Sequence, residues 1–171
     1  ECGTFTFTFD HMFNKDTTQK EIYDYTAKDL VDSVLDGYNA TIFAYGQTAS
    51  GKTYTMQGEL DNPEKEGIIP RMVKHIFKNI AQAPSDIEYT VKLSIIEIYM
   101  EKIKDLLTQK PNLNIRERDK EIYIEDLSEI LDVCRNEKIL VSRINEALDL
   151  LNSKRQKSES IEGFVEEKDE F

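Results

Sequence analysis

Gly46-Gln47-Thr48-Ala49-Ser50-Gly51-Lys52-Thr53 is a complete G-x-x-x-x-G-K-[ST] loop, and the residues on either side of it decide the fold. Upstream, Ala40-Thr41-Ile42-Phe43-Ala44-Tyr45 is a short apolar run of β-branched and aromatic side chains, which predicts a buried parallel strand. Downstream, Lys52-Thr53-Tyr54-Thr55-Met56 opens a helix. Strand, glycine loop and helix in that order aim backbone N–H groups and the positive end of the helix dipole at an anion. In such a loop the lysine, here Lys52, reaches the β- and γ-phosphates, and the hydroxyl after it, here Thr53, ligates Mg²⁺. The bare pattern arises by chance in fewer than about one in a hundred chains of this length. A glycine turn that binds nothing is therefore the weaker reading.

The flanking residues narrow the reading. The run from Gly37-Tyr38-Asn39 through Thr41-Ile42-Phe43-Ala44-Tyr45-Gly46-Gln47-Thr48, Ser50-Gly51-Lys52-Thr53 and Thr55-Met56 to Gly58 resembles the kinesin motor-domain signature G-Y-N-x-T-I-F-A-Y-G-Q-T-x-S-G-K-T-x-T-M-x-G. Phe7-Thr8-Phe9-Asp10 with Met12-Phe13 is similar to the family's F-x-F-D-x-V-F, and Gly67-Ile68-Ile69-Pro70-Arg71 to its G-I-I-P-R. Glu97-Ile98-Tyr99 through Asp105-Leu106-Leu107 resembles its E-I-Y-x-E-x-I-x-D-L-L. The likeness covers roughly Phe5 to Ser153 and is closest to the cargo-transporting heavy-chain branch. It implies an α/β fold: a partial P-loop NTPase of kinesin motor type, with an incomplete central mixed sheet flanked by helices. It also implies ATP as nucleotide, Mg²⁺ as its metal, the microtubule (tubulin) as partner, and the cytoplasm and cytoskeleton as location. The implied nucleotide contacts are Gly46, Gln47, Thr48, Ala49, Ser50, Gly51, Lys52 and Thr53, with Thr53 on the metal. Tyr54 stands where the family packs a side chain near the adenine, although an aromatic residue there also serves as plain core.

Other family strings are missing from this sequence. The first switch, N-x-x-S-S-R-S-H, the second, D-L-A-G-S-E, and the R-x-R-P that supports adenine occur nowhere in it, so no catalytic residue is assigned. The N-K-x-D type motif that reads guanine is absent too. The expectation is the front half of a motor domain without its first strand: residues 1–153 a partial motor domain, 154–171 a polar acidic tail. Residue 1 is Glu and the first methionine is Met12, inside a matched motif, so the natural start is expected upstream unless Met12 initiates a shortened product. The kinesin fold further implies that both neighbours of the 42–45 strand come from sequence beyond this chain. The isolated chain is then expected to aggregate or to pack loosely, with a gap or a foreign pairing beside Ile42–Tyr45.

Composition excludes some classes. At 171 residues the chain could bury about 70% of its unfolded surface in one domain. A formal net charge of -11 argues against nucleic acid and anionic membrane as partners, since both reward a basic surface. No apolar stretch has membrane-spanning length and no signal peptide is visible. Cys2 and Cys134 are far apart, and His11 and His75 lack ligand-like neighbours, which predicts a reduced chain without a structural metal.

Along the chain, Thr4–Phe9 alternates strictly and predicts a strand with one aromatic face. Thr18 with Glu21 forms a capping box for a helix whose face carries Tyr23, Ala27, Leu30, Val31, Val34 and Tyr38, closed near Gly37. Gln57 to Gly67 is polar and predicts a surface loop, and Pro70 opens a helix with Met72, Val73, Ile76, Phe77 and Ile80 at core spacing, stopped at Ala83-Pro84. Tyr89 to Tyr99 predicts one long strand and Met100 to Thr108 a short helix. A hairpin is expected between Leu113-Asn114-Ile115 and Ile122-Tyr123-Ile124 across Asp119-Lys120, then a last helix, 139–152, on Ile144, Ala147, Leu148 and Leu151.

Three features tempt a sharper reading. Leu93-Ser94-Ile95-Ile96-Glu97 resembles a strand ending in an acidic Mg²⁺ or water ligand, but the usual acid is Asp. His75, set between core positions, reads as an ordinary surface or satisfied histidine. Lys168-Asp169-Glu170-Phe171 is one residue from a K-D-E-L signal and reads as a solvated tail. Beside the motor reading stand a nucleotide-binding, non-hydrolysing module acting through a partner, and a small phosphotransferase, the last disfavoured because no arginine-rich lid is seen.

Overall fold

Thr18 starts the first helix as the expected capping box. The Glu21 backbone N–H donates to Thr18 Oγ1 at 3.2 Å, and the Thr18 N–H donates to Glu21 Oε2 at 2.8 Å. These bonds to Thr18 hold the Glu21 carboxyl below its ordinary range. The structure, a computed structural model, describes residues 4, 6–59, 62–84, 86–87, 89–132 and 146. The expected helix at 139–152 and the tail at 154–171 lie outside the described residues, save Glu146, which is helical and exposed. The chain divides into two compact units, Glu1–Gln82 and Ala83–Phe171.

In the first unit, α1 (Gln19–Thr26) and α2 (Lys28–Leu35) replace the single helix read from the sequence. Ala27, at φ -121° and ψ -24°, leaves the helical basin while its N–H still reaches Tyr23 O. Both helices pack on α4 (Ile68–Gln82), and the break re-aims the second face onto it. Tyr23, Ala27 and Val31 are therefore buried, while Leu30, Val34 and Tyr38, expected on the same face, are exposed. Helix α2 ends where expected: Gly37, at φ +98°, lets its own N–H reach Val34 O and the Tyr38 N–H reach Ser33 O, each at 3.0 Å. Two interhelical bonds lock the trio. The Tyr23 hydroxyl lies 2.8 Å from His75 Nδ1, and His75 Nε2 lies 3.1 Å from Asp32 Oδ1. Burial first, then Asp32 and Asp24, pushes the Tyr23 hydroxyl up to about 12, so it stays a donor at neutral pH. His75 is thus the satisfied histidine the sequence suggests.

Helix α4 begins two positions before Pro70, at Ile68, because Pro has no N–H to lose inside the first turn. Val73 and Phe77 are buried as expected, and the helix stops at Gln82 before Ala83-Pro84. The 57–67 segment is not wholly a surface loop. Gln57 and Glu66 are buried, Gly58 pairs with Glu66 in an antiparallel bridge, and the Gly67 N–H donates to Gln57 O at 2.9 Å. Arg71 ties the loop down through Glu66 O, Pro63 O and Glu64 O, and Lys74 pairs with the Glu66 carboxylate at 2.5 Å.

Two expected strands are absent. The described residues of 4–9 and all of 40–45 form no ladder, with Phe7 74%, Phe9 67%, Phe43 89% and Tyr45 100% exposed. A strand exists only through its neighbours, and none among the described residues lies beside these runs. Ile42 alone turns inward, onto the Tyr23–Ala27–Ile68 core with Met56 and Met72.

The described residues of the second unit form three two-stranded antiparallel sheets: β1 (Val91–Leu93) with β6 (Ile130–Asp132), β2 (Ile96–Tyr99) with β3 (Lys102–Asp105), and β4 (Ile115–Arg118) with β5 (Glu121–Ile124). The expected long strand 89–99 is two strands, because its halves take different partners and the change falls at Ser94-Ile95. The expected helix 100–108 is also wrong. Met100 and Glu101, at φ +47° and +62°, make a two-residue turn of the twist that suits a hairpin, and Lys102–Asp105 pairs back on β2. The Asp119-Lys120 hairpin is as read, with φ +53° and +69°; Leu113 lies outside its ladder, in a bridge to Ile103. Ile103, Leu106 and Leu113 form the buried apolar set.

Asp105 is buried at 0% exposure and ties this unit together. Its Oδ1 accepts from the Leu107 and Thr108 N–H groups at 2.8 and 3.2 Å, and its Oδ2 accepts from the Ser128 N–H at 2.9 Å and from Ser128 Oγ. Burial alone would raise this carboxyl; the Ser128, Thr108 and Leu107 bonds outweigh it and bring it down to about 2. Asp105-Leu106-Leu107-Thr108 is an Asx-turn sequence that sequence reasoning passed over in favour of a helix.

Candidate phosphate-binding site

The loop and helix of the site form locally, as the sequence predicts. Gly51, at φ +89°, takes the left-handed conformation that turns the loop into α3 (Lys52–Met56). Ala49 is left-handed too, at φ +62°. The loop is exposed, and among the described residues the N–H groups of Gly51, Lys52 and Thr53 have no protein acceptor. Unpaired donors at a helix start suit an anion. Lys52 folds over the loop, its Nζ donating to Gly46 O at 2.8 Å and Gln47 O at 2.6 Å. Carbonyls orient an ammonium without cancelling its charge, and among the described residues Lys52 has no carboxylate partner. Its full positive charge stands at the mouth of the loop.

Gly46, Gln47, Thr48, Ala49, Ser50, Gly51, Lys52 and Thr53 are therefore brought together as expected, with the Ser50 N–H closing a turn on Gln47 O at 3.3 Å. Thr53 is exposed on the first helical turn. Among the described residues no three His, Cys, Asp or Glu side chains gather as a metal site. The Thr53 hydroxyl is the oxygen of this loop that would hold a Mg²⁺ ion, a donor of the kind this ion takes.

Tyr54 is 48% exposed, so it is not plain core. Its backbone carbonyl accepts from Gln19 Nε2 at 2.6 Å, a link from the first residue of α1 that sequence reasoning missed. The only available signal was a glutamine directly after a capping threonine. Glu97 sits on β2 opposite Lys104 in the hairpin register; nothing about it favours a metal ligand. Beside the loop, a groove of about 400 Å³ runs along the unpaired 42–45 segment, lined by Phe13, Ile42, Tyr45, Lys52, Met56 and Ile68. Its lining is mainly apolar, unlike the phosphate cradle. Among the described residues no helix is long and apolar enough to cross a membrane.

Comparison with known proteins bears on the fold. A family model described as "Kinesin motor domain" matches residues 2–162, past the Ser153 limit read from the motifs. A kinesin heavy chain of Botryotinia fuckeliana is 50% identical over 127 residues, covering 72% of this chain and 14% of that protein. Kinesin-like protein 3 of Schizosaccharomyces pombe is 47% identical over 148 residues, covering 85% of this chain and 25% of that one. A solved structure of a fast kinesin, described for its ATPase mechanism and interactions with microtubules, superposes with a TM-score of 0.79 at 42% identity, over 84% of this chain and 41% of that one. The chain thus spans 14% and 25% of the two curated relatives and 41% of the solved chain.

Proposed function

We propose, since the chain belongs to the kinesin motor-domain family, that residues 46–53 bind the phosphates of ATP or ADP with Mg²⁺ and that the chain supplies the nucleotide-holding part of a microtubule motor. The observation that carries this reading is the posture of Lys52, whose ammonium is held over the loop by the Gly46 and Gln47 carbonyls with no acid to neutralise it. Lys52 compensates phosphate charge, the N–H groups of Gly51, Lys52 and Thr53 supply directed donors, and the Thr53 hydroxyl is the protein ligand for Mg²⁺. Mg²⁺ held at Thr53 would supply positive charge against the phosphates. Tyr54, half-exposed one residue further on, takes the base side of the site. Adenine is favoured over guanine by family resemblance and by the absence of an N-K-x-D type motif.

No residue of this chain is assigned to water activation, because neither switch string occurs in it. Its contribution is ground-state binding of nucleotide, and binding alone does not accelerate a chemical step. Residues 1–153 as a partial motor domain and 154–171 as an acidic tail, tubulin as partner, and a cytoplasmic, cytoskeletal setting all belong to this reading. The test is titration with a fluorescent ADP analogue in the presence of Mg²⁺. Lys52→Ala is expected to weaken binding more than about tenfold; equal affinity in the two proteins sinks the assignment.

A further inference from the structure

The C-terminal end of α3 (Lys52–Met56) is unusual for where its carbonyls go. Thr53 O accepts twice, from the Gln57 N–H at 2.8 Å and from the Gly58 N–H at 3.3 Å. The Gly58 N–H is the donor that would serve Tyr54 O in a continuing helix. It is diverted because Gly58, at φ +71°, turns the chain sharply to cross the backbone at Gly67. Tyr54 O is left orphaned within its own helix, and the side chain of Gln19 fills the vacancy from α1 at 2.6 Å.

This bond fixes the Gln19 amide uniquely, since a carbonyl can only accept and Nε2 must face it. Gln19 is 95% buried, being 5% exposed, and its Oε1 is the one buried side-chain atom among the described residues with no hydrogen-bond partner. An unpaired buried acceptor costs stability that an apolar side chain of similar volume would not. The unpaired Oε1 offsets much of what the Nε2 bond contributes to stability, and what the amide returns is a fixed Tyr54 peptide plane. That plane fixes the backbone from which the half-exposed Tyr54 ring projects, one residue beyond Thr53.

We propose that Gln19 is a positioning residue of the nucleotide site: through the Tyr54 carbonyl it holds the Tyr54 ring in place for the adenine base, leaving the phosphate contacts to the loop. This rests on the nucleotide-binding reading above.

The test compares ADP with pyrophosphate, which lacks the base, as competitors of a fluorescent ADP analogue at submicromolar protein, together with thermal melts. Gln19→Leu is expected to weaken ADP about five- to tenfold while pyrophosphate stays within about twofold, with a melting temperature little changed, because removing the unpaired Oε1 offsets the loss of the bond to Tyr54 O. A second arm combines Gln19→Leu with Tyr54→Ala and reads ADP alone. The double variant is expected to lose no more than Tyr54→Ala by itself, because both act on one contact. Parallel loss of ADP and pyrophosphate, a fall in melting temperature that accompanies the lost affinity, or additive losses in the double variant overturn the proposal. An unsubstituted chain that binds both ligands, with Gln19→Leu indistinguishable from it, overturns this proposal and leaves the nucleotide reading standing. An unsubstituted chain that binds neither overturns both.

Discussion

Replacing Asp105 by Asn removes one negative charge and almost no volume, and the structure sets the consequence. The carboxylate accepts from two donors on each oxygen: the Leu107 and Thr108 N–H groups on Oδ1, and the Ser128 N–H and hydroxyl on Oδ2. An amide must place its NH₂ against one of these pairs, setting donor against donor at a site with 0% exposure. Hydrogen bonds to a charged group contribute about 1.5–3 kcal/mol each, and stranded donors add their own desolvation cost, so Asp105→Asn is expected to cost about 3–5 kcal/mol. The same bonds predict an acid dependence. The carboxyl is lowered from 3.8 to about 2 on folding. At about 1.36 kcal/mol per pKa unit this is about 2.5 kcal/mol of stability. A depressed folded value means that the contribution is fully present above about pH 4 to 5 and is lost as pH falls through about 2. Urea unfolding followed by the amide resonances of Leu107 and Ser128 measures both effects, with the gap between wild type and Asp105→Asn narrowing as pH drops from 5 towards 2. A variant within about 1 kcal/mol of wild type at pH 6, or a gap that does not change with pH, refutes the reasoning.

A Cβ on Gly58 would lie 2.1 Å from Lys65 O, and one on Gly67 would lie 2.6 Å from the Met56 carbonyl carbon. Because both obstacles are backbone, Gly58→Ala and Gly67→Ala should each cost more than about 2 kcal/mol and lower the melting temperature; a change under about 0.5 kcal/mol in either refutes the close crossing. The exposed rings of Phe43 and Tyr45, at 89% and 100%, lie on a segment without ladder partners and should drive self-association. Phe43→Lys with Tyr45→Lys is expected to shift sedimentation velocity profiles towards monomer, and an unchanged concentration dependence counts against this. Residues 1–171 by themselves should show no microtubule-stimulated phosphate release, because neither switch string is in the sequence. Release that rises with microtubules and is abolished by Thr53→Ala would show otherwise.

Most features built from bonds between near neighbours were legible in the sequence alone, the Met100-Glu101 turn and the Asx-turn at Asp105 being exceptions. The 46–53 loop and its helix, the Thr18–Glu21 capping box, the glycine stop at Gly37, the helix ending before Pro84 and the Asp119-Lys120 turn all close hydrogen bonds within a few residues. Their geometry follows from side-chain chemistry and allowed dihedrals. The proposed phosphate site is expressed in one short stretch for the same reason, since its donors and its lysine lie within eight consecutive residues, 46–53.

Everything that required a distant partner was decided by tertiary structure. Lys102–Asp105 is a strand because β2 lies beside it, and Asp105 becomes an anchor only when Ser128 arrives from 23 residues away. Helices α1 and α2 separate at Ala27 because both must pack on α4, and Gln19 reaches the phosphate-loop helix across 35 residues of chain. The 40–45 run carries the composition of a buried strand and is none here, because composition selects which face is apolar whereas only a neighbouring backbone can satisfy the N–H and C=O groups along its edges.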